Sequence, residues 1–387
     1  MNYNLDFVRP SQRDLLKKEF ERDCFSDQLL ACRCYENAYI VFDPLYYKYA
    51  IFTEEGKKIE GNDAELDKSN VVNCEETAIC MGFFHSVWGH NFTDNIKRFW
   101  FLYTDEGKQL VADGARIVYV CEANRSISDN GKRLFAMADV DFSMFEMVKQ
   151  STRFKKLYVP DPSLIHATIT HEPIGERSYT KEFLQTIQRI KDKIEPLRPG
   201  LEKVYFSRVG LSSTFYREVG EWEIESVFRQ KGYKIVHPEK LSLDEQLSIL
   251  ASCREFASTE GSIAHNVIFC QPGTQVVIVR KADYINTYQM VINAIANLNV
   301  TFVDAHRTKP PYFIDNKIWS GPFYMYQSKY LYQWAQLHRF ARPYWLRFSY
   351  WWYILRRIRV VLRIVANRKS VHRFEVNYWT KKINECK

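Results

Sequence analysis

The chain has 387 residues, 46% hydrophobic and 15% aromatic, with a net charge of +8; that length exceeds one ordinary core, so two domains are expected. Twelve Lys and Arg without a single Asp or Glu lie between Asn316 and Phe374, which leaves the rest of the chain at −4 and speaks against a nucleic-acid-binding surface over the body. No apolar run approaches the roughly 20 residues of a spanning helix, Met1 to Pro10 lacks a signal-peptide core, and scattered cysteines with only Cys32-x-Cys34 close together argue for reduced thiols in a cytosol rather than a zinc site.

Residues 1 to about 70 read as a lead-in with short strands, in which Tyr39–Phe42 and Tyr49–Phe52 suggest a hairpin. From 71 to 195 strands and helices alternate. The pattern predicts strands over Ala78–Phe83, Arg116–Val120 and Lys156–Val159, a helix over Asp94–Leu110 and a helix starting at Lys132. Phe183, Leu184, Ile187, Ile190 and Ile194 share one face of a helix over Thr180–Ile194. Glu195-Pro196-Leu197-Arg198-Pro199-Gly200 breaks the pattern and marks a domain boundary.

Beyond the boundary the pattern predicts strands over Val204–Arg208, Lys234–Val236, Gln275–Val279 and Val300–Val303, and helices over Gly220–Lys231 and Asn286–Asn297. Ser242 with Glu245 three residues later forms a capping box. Alternating strands and helices imply a parallel sheet with ligands at the carboxyl ends of its strands. Arg208, His237 and the turn Glu260-Gly261-Ser262-Ile263-Ala264-His265-Asn266 all fall at such ends. A small-residue turn that opens a helix offers free amides and a favourable dipole to a phosphate.

Tyr205-Phe206-Ser207-Arg208, Arg217, Glu221, Gly232–Glu239, Leu241-Ser242, Gln246 and Glu260–Phe269 occur in an order that resembles the catalytic region of glycosyltransferase family 61. His90-Asn91-Phe92-Thr93-Asp94 resembles the His/Asn turn of that family's N-terminal domain. The resemblance covers about residues 85–305. It implies an α/β protein of the GT-B class, with two Rossmann-like domains facing a cleft, inversion at the anomeric carbon and a nucleotide-sugar donor held by the second domain. The chain departs from many relatives at Gly261-Ser262-Ile263-Ala264-His265, where they carry a Gly-Ala-Gly-like turn. It also has Gly220 where an Asn usually precedes Glu221. These departures are closer to bacterial polysaccharide-locus members than to the eukaryotic secretory branch, and they leave the donor open.

Inverting transfer needs a base for the acceptor hydroxyl and a cationic or hydrogen-bonding site for the departing diphosphate. Arg208 suits the diphosphate through its planar fork. The amides of Gly261, Ser262, Ile263, Ala264 and His265 add contacts to it. Glu260 binds the ribose hydroxyls or only complements the helix dipole, and His237 flanks the nucleoside base. Asp94 is the first candidate base, His90 the second and His85 a weaker third. Asp94 reads equally as the N-cap of the helix that follows it. Asp139-Val140-Asp141 has the spelling of a metal triplet but leads into an apolar segment. No metal and no other cofactor is expected, with Arg208 taking a metal's place.

The expected domains are an acceptor-side domain over 1–195, a donor domain over 200–315 and a basic aromatic helical tail over 316–387. In a helix from Trp351 to Val365, residues Trp351, Ile354, Leu355, Ile358, Val361, Leu362 and Val365 form one apolar stripe. Trp352, Arg356, Arg357, Arg359 and Arg363 surround it. That composition suits an in-plane helix on an anionic membrane; the competing reading is a helix packed on the protein body. Together these features lead to an expected enzyme at the inner face of a bacterial cell membrane. It would pass a sugar from a nucleotide donor, UDP-linked, to a lipid-linked saccharide in capsule or exopolysaccharide synthesis. A non-catalytic nucleotide-binding or membrane-associated scaffold of the same fold is the alternative, and no nucleic acid is expected as a partner.

Overall fold

The computed structural model describes residues 2–43, 48–166, 177–211, 218–283, 285–307, 322–337 and 343–366, the side chains of the last stretch as far as Arg359. Arg217 and the calls on the basic residues at 317, 339, 342, 368, 369 and 373 lie outside these residues, as does the side chain of Arg363. The chain forms two compact units, residues 23–195 and residues 1–22 with 196–387. The first 22 residues thus part from the expected 1–195 grouping. Strand β1 (Asn2–Asn4) pairs in parallel with Asn299–Thr301. Arg9 donates to Asp304 from both its amide and its Nε at 2.9 Å, and Asp304 also receives Arg280 at 2.8 Å. Removing this buried carboxylate is costly, because the fully buried Arg280 would lose its ion-pair partner.

The unit of residues 23–195 is built on a seven-stranded mixed sheet. Its strands are β2 (Cys32–Asp43), β3 (Lys48–Phe52), β4 (Lys58–Gly61), β5 (Val72–Phe84), β6 (Arg116–Cys121), β7 (Phe145–Met147) and β8 (Thr152–Pro160), in the order β4-β3-β2-β8-β5-β6-β7. β8, β5, β6 and β7 run parallel, while β2, β3 and β4 add an antiparallel extension. The expected hairpin is part of that extension, with Tyr39 opposite Phe52 and Phe42 opposite Tyr49. A uniformly parallel Rossmann-like sheet is therefore not what this unit contains. Ile40, Ile51, Ala78, Val118 and Leu157 meet in one apolar core, which buries continuous apolar runs as parallel strands require. β9 (Leu164–His166) and β10 (Arg177–Tyr179) form a small antiparallel pair. The helix Lys181–Asp192 follows and buries Phe183, Ile187 and Ile190.

The predicted helix over Asp94–Leu110 is broken. A 3₁₀ turn covers Trp88–Phe92, a single helical turn covers Phe99–Leu102, and a second helix runs over Asp105–Ala112. Thr104 caps that helix by accepting from the Gly107 amide, and Gly107 lies against the Phe101 carbonyl where any side chain would collide. The local polar contacts of Asp94, Asn95 and Thr104 outcompete the helical pattern there.

In the other unit, β11 (Lys203–Phe206), β13 (Lys234–Val236), β14 (Glu255–Thr259), β15 (Gln275–Arg280) and β16 (Asn299–Asp304) join β1 in an all-parallel sheet, ordered β1-β16-β15-β14-β11-β13. β12 (Glu218–Val219) and β17 (Phe323–Tyr324) make a separate parallel pair. Helices run over Glu221–Gln230, Leu243–Ser252 and Thr287–Ala296, and both halves of the Ser242/Glu245 capping box are present. From β11 the chain steps outward to β13, then returns across β11 to β14. The winding reverses between β11 and β14, and ligands of open α/β sheets bind at such a reversal.

The helix Phe348–Ala366 packs on the β12–β17 pair. Ser349, Tyr353 and Arg357 are buried, while Phe348, Trp351, Leu355 and Ile358 are exposed. Among the described side chains two apolar faces are present rather than one stripe; Val361, Leu362 and Val365 of the expected stripe lie outside them. Ile354 joins the packed face. Arg357, expected toward a membrane, is instead turned inward, its Nε 3.1 Å from the Tyr353 hydroxyl. Arg359 is exposed, and Arg356 lies over the Trp352 ring at 4.5 Å. No helix among the described residues is long and apolar enough to cross a membrane.

Candidate active site

Two clusters of chemistry-bearing side chains stand at strand carboxyl ends, one in each unit. In the unit of residues 23–195, β5 ends at Phe84 and β6, its parallel neighbour, at Cys121. His85 follows β5 directly, and Glu122 follows β6. His85 Nδ1 lies 2.9 Å from Glu122 Oε2, and Ser86 donates to Oε1 from its amide at 3.1 Å and its hydroxyl at 2.6 Å. The turn after β5 carries a second pair, in which His90 Nδ1 and Asp94 Oδ2 are 2.5 Å apart. Thr93 Oγ1 also donates to Asp94 Oδ2. The two imidazole rings are 4.3 Å apart, tilted by 31°. Asn95 staples the turn to the strand end, accepting the His85 amide and donating to its carbonyl, both at 2.9 Å.

Asp94 is buried, which opposes its charging, yet the hydrogen bond and charge of His90 hold it well below the usual carboxylate range. Burial likewise opposes the charge of Glu122, and His85 with Ser86 brings that carboxyl down to about 2. Burial lowers Lys97, against the pull of Asp94. Against an ionised carboxylate each Nδ1 is a donor, and an imidazole that carries a single proton keeps Nε2 as an acceptor. Asp94 therefore does not cap a helix; it orients an imidazole. Each ring is about a third exposed on its side chain, His90 at 28% and His85 at 33%.

In the other unit, Arg208 follows β11 and the Glu260-Gly261 turn follows β14, on the two sides of the winding reversal. Glu221, first residue of its helix, accepts the Arg208 amide at 3.0 Å. Glu218 Oε1 receives both Arg208 Nη1 at 2.7 Å and Lys281 Nζ at 2.6 Å. Gly261 has φ +127°, and a Cβ there would lie 3.1 Å from Lys281 Nζ and 3.9 Å from Arg208 Nη1. The absence of a side chain thus lets two cations approach the turn. The following helix, Ser262–His265, is one turn long. The Gly261 carbonyl already accepts the amides of Ala264 and His265. Those of Gly261, Ser262 and Ile263 meet no acceptor among the described residues. His265 is buried, its Nε2 3.1 Å from the Asn286 amide group. His237 stands after β13, its Nδ1 3.8 Å from Glu239. Glu260 is buried, with no partner for Oε2 among the described residues.

Burial, then the charge of Glu218, raises Glu221 to about 8; burial raises Glu260 to about 7 against Arg280 and Lys281. An unfolded glutamate titrates near about 4.3. Between these values the folded chain holds protons that the unfolded chain has released. Both groups thus favour the fold at low pH and lose that contribution as pH rises through 7 to 8. The double variant Glu221→Gln/Glu260→Gln is expected to flatten the decline in Tm between about pH 5 and about pH 8 by a few degrees. Parallel curves for variant and wild type would overturn the assignment.

The Asp139-Val140-Asp141 triplet does not converge on a site: Asp139 pairs with Arg189 and Lys193, and Asp141 caps the Ser143 amide. Among the described residues no three His, Cys, Asp or Glu come together to hold a metal ion. Glu122, Glu218 and Lys281 were absent from the sequence-based candidates. Lys281 had a signal, since it stands one residue beyond β15. Glu122 and Glu218 act across 37 and 63 residues, which spacing along the chain does not reveal.

The family model described as Glycosyltransferase 61 matches residues 88–277, a span that holds His90, Asp94, Arg208 and the Glu260–His265 turn. The match supports glycosyltransferase family 61, and with it sugar transfer as the kind of reaction. No curated protein matches the sequence. Among solved structures, similarity is found to the bacterial iron-containing dodecameric glycosyltransferase TibC from enterotoxigenic E. coli H10407, at 8% identity and a TM-score of 0.26 over 66% of this chain and 76% of that one. A likeness at that level carries no argument about this chain.

Proposed function

We propose that the chain is an inverting glycosyltransferase of the GT-B class, acting on a UDP-linked sugar and a lipid-linked saccharide acceptor in bacterial capsule or exopolysaccharide synthesis. The observation that carries the reading is the approach of Arg208 to the Gly261 turn at the winding reversal of the parallel sheet, where an α/β protein receives a nucleotide. Arg208 and the amides of Gly261, Ser262 and Ile263 take the diphosphate, and Arg208 offsets the charge that builds on it as the bond to the sugar breaks. The unpartnered Oε2 of Glu260 suits a ribose hydroxyl, and His237 borders the nucleoside base. His265 acts through the turn it buttresses. No metal is needed in this scheme.

On the acceptor side His90 takes the hydroxyl proton through Nε2, while Asp94 fixes the ring and stabilises the imidazolium. This reverses the order expected from sequence, where Asp94 ranked first. One base and one stabilised leaving group are what a single inverting displacement requires. The test is a panel of nucleotides and nucleotide sugars. Nucleoside diphosphates are expected to raise the Tm of the purified chain, and at least one nucleotide sugar to be turned over. Failure of every nucleotide to bind would sink the proposal; binding without turnover, unaffected by Asp94→Asn, would favour the non-catalytic alternative.

The C-terminal helix adds a membrane-facing surface at the cytoplasmic leaflet. Trp345, Leu346, Phe348, Trp351, Leu355 and Ile358 are exposed within fourteen residues, with Arg359 beside them. Apolar side chains with cationic neighbours suit an anionic lipid surface. The full chain is expected to float with phosphatidylserine-containing vesicles, and the double variant Trp351→Glu/Leu355→Glu to stay behind. Retention of DNA without vesicle flotation would overturn this part.

A further inference from the structure

Lys281 has no part in the functional reading above, yet its ammonium is more closely tied to the Gly261 turn than Arg208 is. Its side chain is 5% exposed, as is that of Glu218, to which it donates at 2.6 Å. Buried ammonium groups are retained only with a partner, and here the partner is shared. A single carboxylate oxygen, Glu218 Oε1, serves both Lys281 and Arg208. The neighbouring Arg280 is fully buried and meets Asp304 Oδ1 at 2.8 Å, with the two side chains at 0% exposure. Asp304 is shared too, with Arg9, but Arg9 has a second carboxylate in Asp283 at 3.2 Å.

The remaining carboxylates nearby do not restore the balance. Glu221 gives its Oε1 to the Arg208 amide, and burial raises both it and Glu260, so neither is fully ionised at neutral pH. Among the described residues, two cations around one shared anion leave a net positive charge beside a glycine turn. A Cβ at Gly261 would stand 3.1 Å from Lys281 Nζ and would press on that ammonium, and the φ of +127° already disfavours any side chain there.

We propose that Lys281 is a second diphosphate-binding cation, which Glu218 clamps beside Arg208 so that the two charges face the Gly261 turn together. The proposal rests on the donor-site reading above and adds a residue to it. Arg208 offers a fork to two oxygens, whereas Lys281 acts as a point charge. A diphosphate carries more charge than one guanidinium balances, and the second cation supplies the difference.

The experiment is calorimetric titration of the full chain with inorganic pyrophosphate, which needs no knowledge of the nucleoside, for wild type, Lys281→Met, Lys281→Gln and Arg208→Ala. Loss of one charge-assisted contact is expected to weaken pyrophosphate about tenfold or more in both Lys281 variants. Lys281→Gln still donates to Glu218, so it keeps the test open if Lys281→Met does not fold. The same variants are titrated with uridine, which has no phosphate and is expected to bind each of them as it binds wild type. Equal losses for uridine and pyrophosphate would mark Lys281 as merely structural and overturn the proposal. Pyrophosphate affinity that falls with Arg208→Ala and is unchanged in Lys281→Gln would overturn it while leaving the donor-site reading intact. A wild type that binds no pyrophosphate would remove both.

Discussion

His90→Ala is expected to lower sugar transfer by about 10²- to 10⁴-fold, the range for loss of a positioned general base. Binding of nucleoside diphosphate is expected to stay within about twofold, because His90 and the diphosphate residues belong to different units of the chain. Asp94→Asn separates orientation from basicity. The amide has the carboxylate's shape, but it can present a donor to Nδ1 and so favour the tautomer in which Nε2 carries the proton. It also leaves the imidazolium without its counter-charge. A loss of about 10²-fold or more in kcat, with little change in KM, is expected. Glu122→Gln acts on the neighbouring ring and is expected to cost less than about tenfold, which tells the two dyads apart. Asp94 and Glu122 both stay ionised at neutral pH, Asp94 held well below its ordinary range and Glu122 near about 2. Any loss of activity between about pH 8 and about pH 5 therefore arises elsewhere than in these carboxylates. Transfer by His90→Ala within threefold of wild type would remove His90 from the role, and a larger loss in Glu122→Gln than in Asp94→Asn would pass it to His85.

The unit of residues 1–22 and 196–387 was more legible in the sequence than the unit of residues 23–195, and the reason lies in the sheets. A strand buried on both faces appears as an unbroken apolar run, so Gln275–Val279 was placed almost to the residue. Ser242 and Glu245 announced their helix through side-chain chemistry that is local in the chain. The region around His90 followed the opposite logic. Apolar residues between Asn95 and Leu110 have helical spacing, but Asn95 is committed to His85, and Gly107 is jammed against Phe101. The tail shows a third limit. Tyr353 and Arg357 are one helical turn apart and pack on the body, while Trp351, Leu355 and Ile358 are exposed. A pattern with aromatic side chains on both faces does not say which face docks. Pairings such as His85 with Glu122 depend on which strands are neighbours in the sheet, which the order of elements along the chain only narrows.

Arg208→Ala is expected to produce the largest loss on the donor side. Its guanidinium reaches toward the Gly261 turn from a strand end, with its backbone held by Glu221 and its Nη1 by Glu218. Such fixing matters because a stabilising charge must already be in place when the diphosphate departs. Removing it should weaken nucleoside diphosphate binding by about 10- to 100-fold, the worth of one or two charge-assisted contacts. Catalysis should suffer further, with kcat down by about 10²- to 10³-fold, since the developing charge exceeds that of the bound donor. Arg208→Lys keeps the charge but not the fork, and is expected to recover binding more than rate. The variant's fold is expected to survive, because Lys281 remains to balance Glu218, and an unchanged Tm without nucleotide checks this. An Arg208→Ala chain that binds nucleoside diphosphate and turns over donor as wild type does would show that the diphosphate is held somewhere other than the Arg208–Gly261 corner.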